Sequence, residues 1–268
     1  MATSDTIPLL NFAHRLADLA RPITLQHFRA LTEVENKNLD AFDPVTQADR
    51  DAEAAIRDAI REQFPEHGIL GEEFSDESAK NSQGLRWIID PIDGTRSYIA
   101  GKPNWGTLIG LYAGEDPVLG LVDMPALDER VWATARGPAE SRRLGREQPI
   151  ATRACASPDQ AILATTSPEF FTTPPIAALW AEITSQMRLT LYGGDCTNYA
   201  LLASGHIDCV IERDLNPYDI LPLRCVIEAA GGVITDWQGE AVSGGGHVIA
   251  CGDRHLHAAL LPLLRGAA

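Results

Sequence analysis

Leu85-Arg86-Trp87-Ile88-Ile89-Asp90-Pro91-Ile92-Asp93-Gly94-Thr95, LRWIIDPIDGT, joins an apolar run directly to two carboxylates and a hydroxyl. The first six residues read as a buried strand, a short run of apolar and aromatic residues bounded by turn formers. Pro91 fixes its own φ and removes a backbone donor, so the strand is expected to stop there. Gly94 permits a positive φ or a close approach, and Thr95 suits the start of a helix. Asp90, the Ile92 carbonyl and Asp93 are then expected to point into one small space. Like charges that close are unstable without a cation, and a hard divalent ion such as Mg²⁺ prefers carboxylate, carbonyl and water oxygens. The plainer alternative is an Asp-Pro turn followed by an Asp helix cap.

On the N-terminal side of this stretch, apolar positions Leu10, Ala13, Ala17 and Ala20 fall at helical spacing between Asp5 and about Arg29, with Pro22 expected to kink or break the helix. Ala52, Ala55, Ile56, Ala59, Ile60 and Phe64 form a second helical stripe that Pro65 ends. On the C-terminal side, WGTLIGLYAGEDPVLGLVDMP reads as two strands around a turn at Gly114 to Pro117, and RVWATARG as a third. These make an antiparallel meander beside two helices. After about Gly137 a polar stretch leads into alternating elements: strand AILATT, helix 174–186, strand RLTLY, helix 195–204, strand IDCVIE, helix 217–230, strand GVITD, strand HVIACG and a last helix. The expected organisation is an α+β half over 1–140 and an α/β half over 141–268.

The bulk properties exclude several classes. A formal net charge of -15 argues against a nucleic-acid groove, which needs clustered Lys and Arg. Solubility explains an acidic surface, and carboxylates gathered to hold cations would add to it. No apolar run approaches the ~20 residues needed to span a bilayer. The N-terminus carries acidic residues and lacks a basic region before an apolar core, so no secretory signal is expected. Five scattered cysteines without a C-x-x-C pair suggest free thiols in a reducing cytoplasm.

Three more carboxylate positions stand out. Glu72 and Glu73 follow Gly71 at the end of a short apolar pair, Ile69-Leu70, one strand before Asp90. Thr46 and Asp49 form a T-x-x-D capping pattern ahead of the second helix; capping alone accounts for Asp49, and a cap can also face a metal-bound water. Asn216 suits an N-cap and Pro217 the first helical position, which puts Asp219 in the first turn, where the helix dipole favours it. Pro222 is awkward inside that helix. The spacing of Asp90 and Asp93 rules out a D-x-D-x-T phosphoaspartate nucleophile, and G-x-S-x-G, H-E-x-x-H, Walker A and G-x-G-x-x-G sequences are absent. His255 and His257 read as surface residues, with little support for zinc.

GEE, then WIIDPIDGT, then YD opening a late helix before EAAGG resembles the inositol monophosphatase superfamily, in order and over most of the chain. The resemblance implies a layered αβαβα sandwich, usually a homodimer, that hydrolyses small phosphate monoesters with Mg²⁺ (two or three ions, Mn²⁺ substituting). It implies Glu72, Asp90, the Ile92 carbonyl, Asp93 and Asp219 as metal ligands. Asp49, Glu72 and Thr95 would serve the attacking water, and Asp93, Gly94 and Thr95 the phosphate, partly through backbone N–H groups. The metal cluster would neutralise the ester dianion and activate water, so that no covalent intermediate is needed.

Substrate choice is expected in the second half. Tyr218-Asp219 followed by ILPL departs from the Trp-Asp of most inositol-type members. GGDCTNYALLASGHID…NPYD and GKPNWGTLIGLY…PVLGLVDMP instead resemble the histidinol-phosphate phosphatase branch. Asp195 and Glu212 would offer carboxylates to the ammonium and imidazole groups of histidinol, with Asn198 adding a hydrogen bond and Asp219 adjoining. The alternatives are that Asp195 caps its helix and Glu212 lies at the surface. Tyr199 reads as packing. Inositol monophosphate, a sugar bisphosphate or a 3′-phosphorylated nucleotide remain alternative substrates.

Overall fold

The strands over Leu85–Asp93, Gly106–Ala113 and Asp116–Met124 are buried on both faces along most of their length, and the layers follow from that. The protein, a computed structural model, is described over residues 3–30, 34–36, 44–80 and 84–266. In chain order the elements are α1 (Thr3–His27), β1 (Val34–Asn36), β2 (Pro44–Thr46), α2 (Gln47–Gln63), β3 (Gly68–Gly71), β4 (Leu85–Asp93), α3 (Thr95–Ile99), β5 (Gly106–Ala113), β6 (Asp116–Met124), β7 (Glu129–Thr134), β8 (Ala139–Arg143), β9 (Arg146–Ile150), β10 (Ile162–Thr165), α4 (Pro174–Gln186), β11 (Leu189–Tyr192), α5 (Cys196–Ala203), β12 (Cys209–Leu215), α6 (Pro217–Ala229), β13 (Val233–Asp236), β14 (Gly246–Cys251) and α7 (Arg254–Arg265).

A large sheet runs β3-β4-β5-β6-β7-β8-β9, with β3 parallel to β4 and the rest antiparallel. On one face Trp87, Ile89, Ile109 and Leu121 pack against Phe12 and Leu16 of α1 and Ile56 and Ile60 of α2. The alternate residues Ile88, Leu108, Tyr112 and Val122 meet Tyr199 and Leu202 of α5 and Ile220, Leu223 and Ile227 of α6. Those two helices rest in turn on a smaller sheet, β11-β10-β12-β14-β13, through Val210, Val248 and Ala250. Its far face, Leu163, Cys209, Ile211 and Ile249, is covered by Ile183 of α4 and Leu256, Leu260 and Leu264 of α7. The result is the αβαβα sandwich.

Asp90 belongs to the Ile88 face of β4, the face that carries α6, so strand alternation aims it at the middle helical layer. Two glycines let α6 come close. Gly110 of β5 and Gly120 of β6 are register partners, and a Cβ on Gly120 would stand 2.0 Å from the Pro222 carbonyl oxygen. A Cβ on Gly110 would lie 3.1 Å from the Pro222 Cα. Pro222, awkward in sequence, is therefore where the helix touches the sheet. The Tyr112 hydroxyl donates to the neighbouring Leu221 carbonyl at 2.9 Å.

Several expectations are corrected. α1 is not broken at Pro22, of the two outcomes expected there. Pro91 does not end β4: Asp93 still pairs with Gly106, after a register shift between Asp90 and Asp93. A bulge leaves the ladder where the missing donor falls, which is where a sheet tolerates proline. The Pro91 carbonyl accepts the Thr107 hydroxyl at 2.8 Å. The polar stretch after Gly137 is the hairpin β8–β9, turned by Leu144 and Gly145, both at positive φ. It carries the large sheet to Ile150, past the expected change of style near residue 140. Its strands have no apolar period because β9 is largely exposed. His257 is buried and bonded to the Thr235 hydroxyl at 2.9 Å, whereas His255 is exposed. All five cysteines are free thiols. Among the described residues no helix is long and apolar enough to cross a membrane.

Candidate active site

The bulge in β4 turns the chain so that Asp90 and Asp93 both reach the N-terminal end of α6. One carboxylate oxygen each from Asp90, Asp93 and Asp219 lie within 4.8 Å of one another. Asp90 is 1% exposed, and its Oδ1 accepts the Ile92 N–H at 3.1 Å. Asp219 is held by its own helix start: its Oδ2 accepts the Asn216 N–H at 2.7 Å, so the expected Asn216-Pro217-x-Asp219 cap is formed. Asp93 Oδ2 accepts the first N–H of α5, from Cys196, at 2.5 Å. The Thr95 hydroxyl donates to the Ile92 carbonyl at 3.2 Å, placing both at the same bend.

A second group, Asp49, Glu72 and Glu73, gathers its oxygens within the same span of 4.8 Å. The two groups adjoin. Burial first, then the charges of Glu72, Asp93, Asp219 and Asp49, push the Asp90 carboxyl well above the usual carboxylate range. Burial, then Asp195 and Asp219, raise Asp93. Burial lifts Asp219 to about 7 against the bonds from Asn216, with Glu72 adding to the rise. Carboxylates packed this way hold protons unless a cation takes their place. Both groups offer only oxygen donors, which fits a hard divalent cation and does not fit a zinc–thiolate site. Thr46, the expected capping partner of Asp49, has its side chain outside the described residues.

A cavity of about 280 Å³ opens beside the first group, lined by Asp93, Gly94, Thr95, Asp195, Glu212 and Asp219, with Arg96, Thr166, Tyr199 and Arg213 among the other walls. Gly94 has φ +90, and a Cβ there would lie 2.8 Å from the Asn104 carbonyl and 3.1 Å from Asp195 Oδ2. Any side chain would close this corner. Asp195 precedes α5 but makes no side-chain cap; its backbone sits at φ +45, and its Oδ2 accepts the Ser97 hydroxyl at 3.2 Å. Burial raises it to about 6, against the Ser97 bond and the charges of Arg96 and Lys102. Glu212 is not at the surface either, at 1% exposure. Its Oε1 accepts the Thr166 N–H at 2.6 Å and hydroxyl at 2.8 Å, and its Oε2 the Thr165 hydroxyl at 3.3 Å. Burial still lifts Glu212 to about 7.

A model of the inositol monophosphatase family matches residues 5–267. The chain belongs to this family. It is 42% identical over 251 residues, covering 90% of this chain and 70% of the other, to the bifunctional phosphatase IMPL2, chloroplastic, of Arabidopsis thaliana. It is 36% identical to the histidinol-phosphatase of Chlorobaculum parvum, covering 87% of each chain. Among solved structures, an inositol monophosphatase from Zymomonas mobilis superposes with a TM-score of 0.85 at 38% identity, covering 99% of this chain and 100% of that one. The protein is thus an inositol monophosphatase-family phosphatase with acidic clusters suited to metal.

Within this family member, Asp49, Glu72, Asp90, Ile92, Asp93, Gly94, Thr95, Asp195, Glu212 and Asp219 converge on two adjoining carboxylate groups and one cavity. Asn198 does not join them. It is 4% exposed, its amide donates to the Gly193 carbonyl at 3.0 Å, and it braces the Gly193-Gly194 turn rather than lining the cavity. Sequence reasoning missed Glu73 as a member of the second group, although GEE had singled it out. It also missed Thr165 and Thr166, read only as the end of strand AILATT. Their role depends on β10 lying beside β12, which nothing local announces. Tyr199 does pack in the core, but it also reaches the cavity wall, where its hydroxyl has no hydrogen-bond partner.

Proposed function

We propose that the protein is a Mg²⁺-dependent phosphatase that converts histidinol phosphate to histidinol and phosphate in histidine biosynthesis, working in the cytoplasm as a homodimer. The observation that carries this reading is the pair Asp195 and Glu212: a half-buried and a buried carboxylate lining the cavity that Asp93 and Asp219 also line, neither belonging to the metal-type groups. A cationic organic group matches them better than a neutral polyol does. The similarity to a histidinol-phosphatase supports it.

Asp90, the Ile92 carbonyl, Asp93, Asp219 and Glu72 would hold two or three Mg²⁺ ions, with Mn²⁺ able to replace them; when bound, the ions neutralise the ester and lower the pKa of water. Because the Thr95 hydroxyl donates to the Ile92 carbonyl, its oxygen lone pairs are free to accept a hydrogen bond from the attacking water. Asp49 and Glu72 would orient that water and take its proton. Asp93, Gly94 and Thr95 form the wall against which the phosphate would lie. Most of these groups belong to the 1–140 half, and Asp219 and the specificity residues to the 141–268 half.

A second reading is favoured by the Zymomonas structure: the same chemistry on inositol monophosphate. Phosphate release from histidinol phosphate and inositol 1-phosphate, each with Mg²⁺ and with a chelator, separates the two. Metal-dependent turnover favouring histidinol phosphate in kcat/KM is expected. A preference for inositol phosphate would overturn the substrate, and turnover indifferent to chelation would overturn the metal.

A further inference from the structure

Helix α2 carries three buried charged residues at one-turn intervals, Asp49, Glu53 and Arg57, none more than 1% exposed. Only Asp49 belongs to an acidic group of the site. A buried ion pair is costly to desolvate and adds little net stability by itself, so the Glu53–Arg57 pair calls for another role.

Its contacts point to one. Arg57 Nε donates to Glu53 Oε1 at 2.7 Å. The rest of the guanidinium reaches the chain just after Glu72 and Glu73: Nη2 donates to the Phe74 carbonyl at 3.1 Å, and Nη1 to the Ser75 carbonyl at 3.1 Å and to Glu77 Oε1 at 2.8 Å. Glu53 Oε2 accepts the Glu73 N–H at 2.7 Å. On the other side of Glu72, a Cβ on Gly71 would stand 2.0 Å from Glu53 Oε1, so glycine is what lets the carboxylate in. The pair thus ties the Gly71–Glu77 segment to the helix that carries Asp49. The oxygens of Asp49, Glu72 and Glu73 gather within 4.8 Å although they come from two separate elements.

We propose that Glu53 and Arg57 are positioning residues that fix Glu72 and Glu73 against Asp49, so that the second acidic group is pre-shaped for a divalent cation. This rests on the metal reading above. Partners that orient ligands are typically worth 10- to 100-fold in metal affinity. Neither residue touches substrate or the reacting atoms.

The test is Mn²⁺ binding to chelator-stripped full-length protein, followed by electron paramagnetic resonance of free Mn²⁺ and by calorimetry, with circular dichroism as the fold control. Glu53→Gln sets an amide donor against either the guanidinium or the Glu73 N–H, so one of the two bonds is lost. Arg57→Lys keeps the charge but loses the fork to the Phe74 and Ser75 carbonyls, which separates geometry from net charge. Both variants are expected to weaken Mn²⁺ at least about tenfold, with the Mn²⁺ needed for half-maximal turnover rising in step and kcat at saturating Mn²⁺ much less affected. Lower melting temperatures with unchanged Mn²⁺ affinity would mean a merely structural pair and overturn the proposal. If Glu53→Gln and Arg57→Lys fail to fold, Glu77→Gln at the outer end of the network decides. A few-fold weakening supports the proposal, and unchanged affinity overturns it. Wild-type protein that binds no Mn²⁺ saturably would overturn the metal reading itself, and the positioning role with it.

Discussion

Glu212→Gln tests whether the buried carboxylate of the cavity recognises a cation. The substitution suits its surroundings. The amide oxygen can replace Oε1 and keep both bonds from Thr166, while the amide NH₂ takes the Oε2 side, where the Thr165 hydroxyl can rotate from donor to acceptor. What disappears is charge. A hydrogen bond to a charged group contributes about 1.5–3 kcal/mol, so kcat/KM for histidinol phosphate is expected to fall roughly 10- to 150-fold, with inositol 1-phosphate losing far less. Stability moves the other way. Glu212 is raised from 4.5 to about 7 by burial, so in the folded protein its ionised form is penalised by up to about 3 kcal/mol at about 1.4 kcal/mol per pKa unit. The folded state binds the proton more tightly than the unfolded one, and this penalty grows as pH rises from the unfolded to the folded value. Glu212→Gln is therefore expected to melt no lower than wild type at pH 8. The assays are steady-state phosphate release on both esters and chemical denaturation. Equal losses on the two substrates would refute the role of Glu212 in recognition; a large drop in stability would show that the carboxylate serves the fold instead.

Other consequences follow from the same geometry. Asp219 is lifted to about 7 mainly by burial, so in chelated protein Asp219→Asn should match wild type near pH 4 and become the more stable of the two by pH 8. The gain is up to roughly 4 kcal/mol, and divalent cation should reverse it; a difference that is flat with pH would contradict the burial of this carboxylate. Gly120→Ala places a Cβ 2.0 Å from the Pro222 carbonyl, a backbone atom that cannot swing away, and should cost about 3 kcal/mol in denaturant unfolding. A cost under about 1 kcal/mol would mean that α6 is not seated on β5 and β6 as described. Tyr199→Phe deletes a buried hydroxyl with no partner, so thermal stability should hold or rise slightly. An unchanged KM would restrict Tyr199 to packing, and a raised KM would mean that the hydroxyl meets the substrate.

Much of the fold was legible because its signals are local. The period of α2, the paired strands around Gly114, and the alternation after residue 160 all depend on neighbours within one element. The N-cap of α6 was legible too, since Asp219 accepts the Asn216 N–H within a single turn and Pro217 at the first helical position needs no partner. Pro91 misled, because proline's missing donor matters only if the native ladder needs it, and at the β4 bulge it does not. The β8–β9 hairpin gave no apolar period because its outer strand faces solvent.

The sequence by itself pointed to most of the carboxylates that gather at the site: they sit at strand ends and helix starts, spaced so that local backbone geometry brings Asp90, Ile92 and Asp93 to one bend. Tertiary structure decided which of them meet and how they are held. The buried Glu53–Arg57 pair ties the segment after Glu72 to the helix that carries Asp49, Glu212 gains its three donors only because β12 lies beside β10, and Asn198 turns away to brace a glycine turn. Those contacts join residues far apart in the chain. A hydrogen bond between distant segments leaves no periodicity in sequence, so it becomes visible only when the layers have been packed.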